Sequence, residues 1–267
     1  MALHDNALKR FSLEEKVIWV PGGAGLLGTA VCRALAEHGA HVIIADLRAD
    51  AAEGVAAQLP DAGLSAEGQA LDIGDEAEVV KAVASITEAH QRLDGVVNMT
   101  FKSTGAGFDE MSAAQWEAGM AVSLTGAFVV TREAGKVMAA QGGGSIVHFS
   151  SMYGVVSPDP RMYPPSQRPN PVDYGVAKAG ILQLVRYQAI AQARDGVRVN
   201  AIVPGPFPNP DSMGADPGFV SRLLERTPTG RVGTAEEMAG AVIFLCSDAA
   251  GYVTGTSITV DGGWTAW

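Results

Sequence analysis

Short runs of aliphatic and β-branched residues alternate with helix-period stretches along this 267-residue chain, and that rhythm restricts the fold more than any other feature. Residues 17–20 read as a buried strand, 28–38 as a helix and 41–46 as a second strand. Residues 65–71 form a weaker strand pattern and 76–90 a helix. Residues 95–98, 145–150, 197–203 and 257–260 read as further strands with long helical patterns between them. Strands separated by helices of this length pair in parallel, because a parallel return needs a long crossover, and the helices then cover both faces of one sheet. The expected fold class is α/β, a doubly wound parallel sheet. There is no internal repeat, so residues 13–267 are expected to be a single domain behind a tail at 1–12. Two segments break the rhythm: 157–171, with six prolines from Pro158 to Pro171, and 204–217. Both follow predicted strands, at the end where open α/β sheets bind ligands, and are expected to be walls of a site.

Composition narrows the function classes. With 47% hydrophobic and 18% charged residues the chain is not disordered, and at this length it buries enough surface to need no disulfide or metal. Nineteen Lys and Arg against 29 Asp and Glu give a net charge of -10, which repels a phosphate backbone and an anionic membrane, so neither is an expected partner. Cys32 and Cys246 have no C-x-x-C or His-rich neighbourhood and read as small core residues; no metal site is expected. Residues 1–11 lack a signal-peptide apolar stretch, and no segment reaches the roughly 18 apolar residues of a membrane span, so a cytoplasmic chain is expected.

The first strand runs through Pro21 into Gly22-Gly23-Ala24-Gly25-Leu26-Leu27-Gly28 and then a helix. A glycine turn in that place lets backbone N–H groups approach a pyrophosphate at a helix N-terminus, although tight turns alone also use glycine. Asp46 ends the second strand, where a carboxylate accepts from ribose hydroxyls and repels a 2'-phosphate. Together they favour NAD over NADP. Asp72, with Ile73 beside it, reads either as an acceptor for the adenine amino group or as a cap for the following helix, supported by Asp75 and Glu76. Asn98 ends the fourth strand, positioned to brace the backbone beneath a cofactor.

Tyr174 and Lys178 open a helical stretch, and i,i+4 spacing puts phenol and ammonium on one face. A phenol of pKa about 10 is a poor base at neutral pH; a neighbouring ammonium and a cationic nicotinamide both favour phenolate. With Ser150-Ser151 at a strand end, a serine hydroxyl can hold a substrate oxygen while Tyr174 moves the proton and the cofactor takes the hydride.

With these motifs in this order, the chain resembles the short-chain dehydrogenase/reductase family in its single-domain, Rossmann-like branch. The likeness also rests on the run from Gly144 to Ser151, Arg198-Val199-Asn200 followed by Pro204-Gly205, and the tail Thr254-Gly255 with Val260-Asp261-Gly262-Gly263. The resemblance implies that Ser151, Tyr174, Lys178 and Ser123 are the catalytic positions and that Lys178 also binds the nicotinamide ribose. It implies nucleotide contacts from Gly22, Gly25, Leu26, Leu27 and Gly28, from Asp46, Leu47, Asp72 and Ile73, and from Asn98, Met99 and Thr100. The segment Pro204, Gly205 and Phe207 would meet the nicotinamide. A homotetramer is implied too, with Trp264 and Trp267 read as subunit-contact residues.

Several positions depart from the family pattern. Pro21 replaces a threonine, Leu26 replaces the middle glycine, and Asn98-Met99-Thr100-Phe101 replaces Asn-Asn-Ala-Gly. Ser123 stands where the family places an asparagine that relays protons through water; a serine either holds that water or slows the relay. The insertion separates Ser151 and Tyr174 more widely than usual, and with the motif from Met152 to Asp159 it resembles enzymes of bacterial carbohydrate pathways. Arg161 and Arg168, in the insertion, read as solvated loop residues or as a clamp for an anionic group on the substrate, with Tyr153 beside them. The leading expectation is an NAD-dependent dehydrogenase or ketoreductase acting on a polar, sugar-like or anionic secondary alcohol. The alternatives are an epimerase or dehydratase using transient oxidation, and a non-catalytic nucleotide-binding protein.

Overall fold

The computed structural model describes residues 8–59, 63–164, 168–209 and 217–267. Its strands are β1 (Val17–Pro21), β2 (His41–Asp46), β3 (Ser65–Ala70), β4 (Gly95–Asn98), β5 (Gly144–Phe149), β6 (Val197–Pro204) and β7 (Ser257–Val260). All pair in parallel in the order β3-β2-β1-β4-β5-β6-β7. The chain starts at β1, winds outward to β3, then returns to place β4 on the other side of β1. That reversal opens a crevice at the carboxyl ends of the strands, between the loops after β1 and β4.

The crossovers are α1 (Leu26–Glu37), α2 (Ala49–Ala56), α3 (Glu76–His90), α4 (Ala113–Met120), α5 (Gly126–Ala140), α6 (Val172–Gln192), α7 (Pro217–Arg226) and α8 (Ala239–Cys246). The central strands are apolar on both faces, since each face is covered. Ile18, Val20, Val42 and Ile44 pack with Val31, Cys32 and Leu35 of α1 and with Val242 and Leu245 of α8. Their neighbours in sequence, Val17, Trp19, Ile43 and Ala45, point the other way, against Val79, Val83 and Ile86 of α3, Val130 and Ala134 of α5, and Ile181 and Val185 of α6. The edge strand β3 has no fully buried residue, which explains its weak apolar signal in the sequence.

Cys32 and Cys246 are buried and unpaired, and burial raises both thiol pKa values, that of Cys246 to about 12. Of the expected tail, residues 1–7 lie outside the described residues; Phe11 packs on Phe244, with ring centroids 6.4 Å apart. The expectation for Trp264 is corrected: it is buried against its own chain with Met152, Tyr153, Met162 and Leu223, while Trp267 is exposed. Among the described residues no helix is long and apolar enough to cross a membrane.

Candidate active site

A cleft of about 670 Å³ lies at the carboxyl ends of the strands. Its floor at one end is the glycine turn. Gly22 and Gly23 donate to the Ala45 carbonyl, and Met99 donates to the Pro21 carbonyl, so the turn is held between β2 and β4. Gly22 has φ +79°, and a Cβ there would come within 2.9 Å of the Met99 and Thr100 backbone. A Cβ on Gly28 would lie 2.7 Å from the Gly22 and Gly23 carbonyl oxygens, so the start of α1 packs on the turn only through glycine. Leu26 is the first residue of α1 with no positive φ, so leucine is accommodated there without strain. The helix has no side-chain cap at Gly25. Among the described residues no side chain accepts from its first N–H groups, which can serve an anion where Gly22, Gly25, Leu26, Leu27 and Gly28 line the cleft. A cradle closed to a Cβ, an uncapped helix start and a carboxylate beyond it fit a dinucleotide.

That carboxylate, Asp46, is half-buried on the cleft wall and, among the described residues, accepts only a long bond, 3.4 Å, from the Arg48 N–H; Leu47 beside it is exposed. Asp72 also lines the cleft, but its Oδ1 accepts from Gly74 N–H at 2.8 Å. The cap of α3 is Asp75, which accepts from Ala77 and Glu78. The capping alternative for Asp72 is thus corrected: the Asx turn places its neighbour in that role. Ile73 is buried beneath the same wall. Asn98 Oδ1 accepts from the Thr100 N–H and hydroxyl, bracing the loop that carries Met99 and Thr100 into the cleft. Pro204, Gly205 and Phe207 close the far side.

Ser151, Tyr174 and Lys178 meet on the opposite wall. The two serines are separated by their bonds. Ser150 Oγ donates to the Lys178 carbonyl at 2.7 Å and fastens α6 to the end of β5. Ser151 Oγ accepts from Tyr153 N–H and approaches the Tyr174 phenol, drawing its pKa down. Tyr174 and Lys178, one turn apart on α6, share the face turned to the cleft. Lys178 Nζ donates to the Phe149 carbonyl at 2.7 Å and stands 5.8 Å over the rings of Tyr174 and Phe101, and burial lowers its pKa to about 8. In the chain alone burial dominates and raises the Tyr174 pKa, against the pull toward phenolate expected from the ammonium together with a cationic nicotinamide.

Ser123 is buried in a π-helical turn (Ala121–Thr125) between α4 and α5. Its hydroxyl accepts from Lys102 N–H at 2.9 Å and donates to Lys102 C=O at 3.0 Å, so it ties down the loop after β4. Asp173 escaped the sequence reading. Buried in the first turn of α6, it accepts from the Thr104 N–H and from the Ser103 and Thr104 hydroxyls, and so fixes the same loop beside Tyr174. An acid adjoining the tyrosine at a helix start was the available signal. Phe101, also unforeseen, meets the Tyr174 ring edge-on at 5.7 Å.

The described residues of the insertion do not line this cleft. Residues 165–167 are outside the described residues; its other parts, with a 3₁₀ turn at Pro160–Met162, form an irregular wall that borders a neighbouring hollow with Tyr153. Tyr153 is buried and its hydroxyl pairs with that of Tyr163 at 2.8 Å. Arg161 grips Asp159 through Nε and Nη2. Arg168 holds Glu110 through both terminal nitrogens. Of the two readings of these arginines, solvated loop residues or an anion clamp, the structure shows each guanidinium exposed and paired with a carboxylate of its own chain, and neither lines the cleft of Ser151 and Tyr174.

The family model described as enoyl-(acyl carrier protein) reductase matches residues 23–265. The chain is 36% identical over 253 residues to cis-4-hydroxycyclohexanecarboxylate dehydrogenase of Sinomonas cyclohexanicum, covering 94% of this chain and 97% of that one. It is 34% identical over 259 residues to galactitol 2-dehydrogenase (L-tagatose-forming) of Cereibacter sphaeroides, covering 96% and 98%. The crystal structure of a gluconate 5-dehydrogenase from Burkholderia cenocepacia J2315, in complex with NADP and tartrate, has a TM-score of 0.89 at 30% identity over 98% of this chain and 99% of that one. Similarity that runs from the glycine turn through the last strand includes both ends of the cleft in one unit, and on that ground the chain belongs to the short-chain dehydrogenase/reductase family, oxidoreductases of CH–OH groups.

Proposed function

We propose that the chain is an NAD-dependent dehydrogenase that oxidises a secondary alcohol on a small, polar, polyol-like substrate, or reduces the matching ketone. The observation that carries this reading is one cleft with Asp46 at one end and Ser151, Tyr174 and Lys178 at the other. NAD, when bound, supplies the hydride acceptor and, in its oxidised form, a positive ring. The Ser151 hydroxyl would hold the substrate oxygen, and Tyr174, as phenolate, would take the hydroxyl proton while the carbinol C–H gives its hydride to the acceptor that NAD supplies. Burial works against ionisation of Tyr174, so the phenol needs the added positive charge of the cofactor to act as base. Lys178 Nζ, which donates to the Phe149 carbonyl, would bind the ribose hydroxyls and support Tyr174.

The polyol reading draws on the galactitol and gluconate dehydrogenases among the similar proteins. Recognition of an anion by Arg161 or Arg168 is not part of it, since both are paired. We further read the protein as a homotetramer, from the family resemblance and from Tyr187 and Ile190 on α6, which are 73% and 83% exposed. The test is a screen of polyols and secondary alcohols followed at the NADH absorbance. On an active substrate, Tyr174→Phe lowers turnover by about 10²- to 10⁴-fold, with NAD affinity by calorimetry nearly unchanged. Full turnover in Tyr174→Phe would overturn the assignment.

A further inference from the structure

At the opposite end of the sheet from the cleft, three side chains distant in sequence come together. His41 is the first residue of β2 and Asp46 its last, so about 16 Å of strand separate the two ends. The register pairs His41 with Ser65 and Ile43 with Glu67, and side chains alternate, so His41, Ser65 and Glu67 share one face of the sheet. That is the face covered by α3, whose last residue is His90. His90 Nε2 lies 3.0 Å from Glu67 Oε1, His41 Nε2 lies 4.0 Å from the same oxygen, and the two imidazoles have centroids 4.7 Å apart with their planes tilted by 39°. One ligand atom from each of the three residues falls within 4.8 Å of the others.

A carboxylate between two histidines is also what a simple ion pair looks like. His41 distinguishes the cases. Its Nδ1 is 2.6 Å from the Ser65 hydroxyl, while its Nε2 is buried without a hydrogen-bond partner and faces the cluster. With Nδ1–H donating to Ser65, Nε2 presents a lone pair beside a carboxylate, an arrangement that a proton donor or a cation would satisfy and that no group among the described residues does. A histidine held through its second nitrogen by an oxygen is the usual state of a metal ligand.

We propose that His41, Glu67 and His90 form a divalent transition-metal site of the zinc class, fastening the edge strand β3 to β2 and α3. Two imidazole nitrogens and one carboxylate oxygen are a zinc donor set that leaves a further position for water. Tetrahedral bonds of about 2.0–2.1 Å put ligand atoms about 3.3 Å apart. The His90–Glu67 pair already meets that spacing, and the His41–Glu67 pair reaches it by closing less than about 1 Å, a side-chain adjustment. Glu67, with its side chain about half exposed, is the side from which an ion enters.

The experiment uses untagged full-length protein, stripped with a chelator and titrated with Co²⁺, then with Zn²⁺ in competition. The expected result is one Co²⁺ per chain with visible d–d absorption, displaced by Zn²⁺. Zn²⁺ at about a hundred times its dissociation constant should raise the Tm by roughly 5–10 °C. Glu67→Gln and His90→Gln abolish the Co²⁺ spectrum and the Tm rise, while His38→Gln, whose ring bonds the Ala34 carbonyl, keeps both. Ser65→Ala leaves the three ligands in place and weakens Co²⁺ about 10- to 100-fold. This variant tests the site even if His90→Gln fails to fold. Absence of Co²⁺ absorption in the unmodified protein overturns the proposal, and so does a spectrum that survives both Glu67→Gln and Ser65→Ala unchanged. None of these readouts depends on dehydrogenase activity.

Discussion

On the proposed reading, Asp46 carries the choice between nucleotides. The structurally similar gluconate 5-dehydrogenase from B. cenocepacia was solved with NADP, and in the proposed reading the residue at this strand end selects against that nucleotide here. A carboxylate lightly held by its own chain is available to ribose hydroxyls and repels a 2'-phosphate. Asp46→Ser should narrow the ratio of NADP to NAD dissociation constants by at least about tenfold, ~1.4 kcal/mol. Equal affinities in the unmodified protein would defeat the NAD reading. His148 makes a second prediction. It is fully buried in β5, with Nε2 2.6 Å from the Thr131 hydroxyl and Nδ1 3.4 Å from the Asn98 amide, and burial with the nearby Lys178 charge lowers its pKa to about 3. The unfolded chain binds this proton below about pH 6.5 and the folded chain only near 3, so stability is full above 6.5 and is lost as pH falls through that window. The slope from this group approaches about 1.4 kcal/mol per pH unit. Urea midpoints measured from pH 7 to 5 should therefore fall less steeply for His148→Gln than for the unmodified protein.

Among the elements, the π-helical turn between α4 and α5 has the clearest task. The loop after β4 is pinned at Thr100 by Asn98, at Lys102 by Ser123, and at Ser103 and Thr104 by Asp173. The altered Asn98-Met99-Thr100-Phe101 segment is thus a fixed wall, and Thr100 C=O lies 3.5 Å from Lys178 Nζ. Ser123→Ala removes both bonds to Lys102, at a cost of about 1–3 kcal/mol for main-chain groups left unsatisfied. Tm should fall, and KM for NAD should rise with it. A lower Tm with unchanged nucleotide kinetics would separate the loop from the cofactor wall. The insertion is different: its arginine pairs are exposed, where solvent screens them and they add little to stability.

For the whole molecule, the strand order places the cleft at the reversal beside β1 and leaves α6 with Tyr174 and Lys178 turned inward and Tyr187 and Ile190 outward. If a second copy covers that outer face, Ile190→Glu should lower the mass found by light scattering to that of a smaller species, with the fold intact by circular dichroism; an unmodified protein that is monomeric at micromolar concentration would defeat the tetramer reading. The sequence by itself determined the sheet, because strands covered on both faces must be apolar throughout, and it determined the pairing of Tyr174 with Lys178, because neighbours on a helix are set by local spacing. It showed β3 only faintly, since an edge strand keeps half its surface in water. Tertiary structure alone decided the rest. Ser123 reaches Lys102, Arg168 reaches Glu110, and Trp264 turns into its own core because long-range packing, which no local pattern encodes, sets those neighbours. His41, Glu67 and His90 lie on three separate elements, and only parallel register with the crossing of α3 brings an isolated histidine to a carboxylate and a second imidazole.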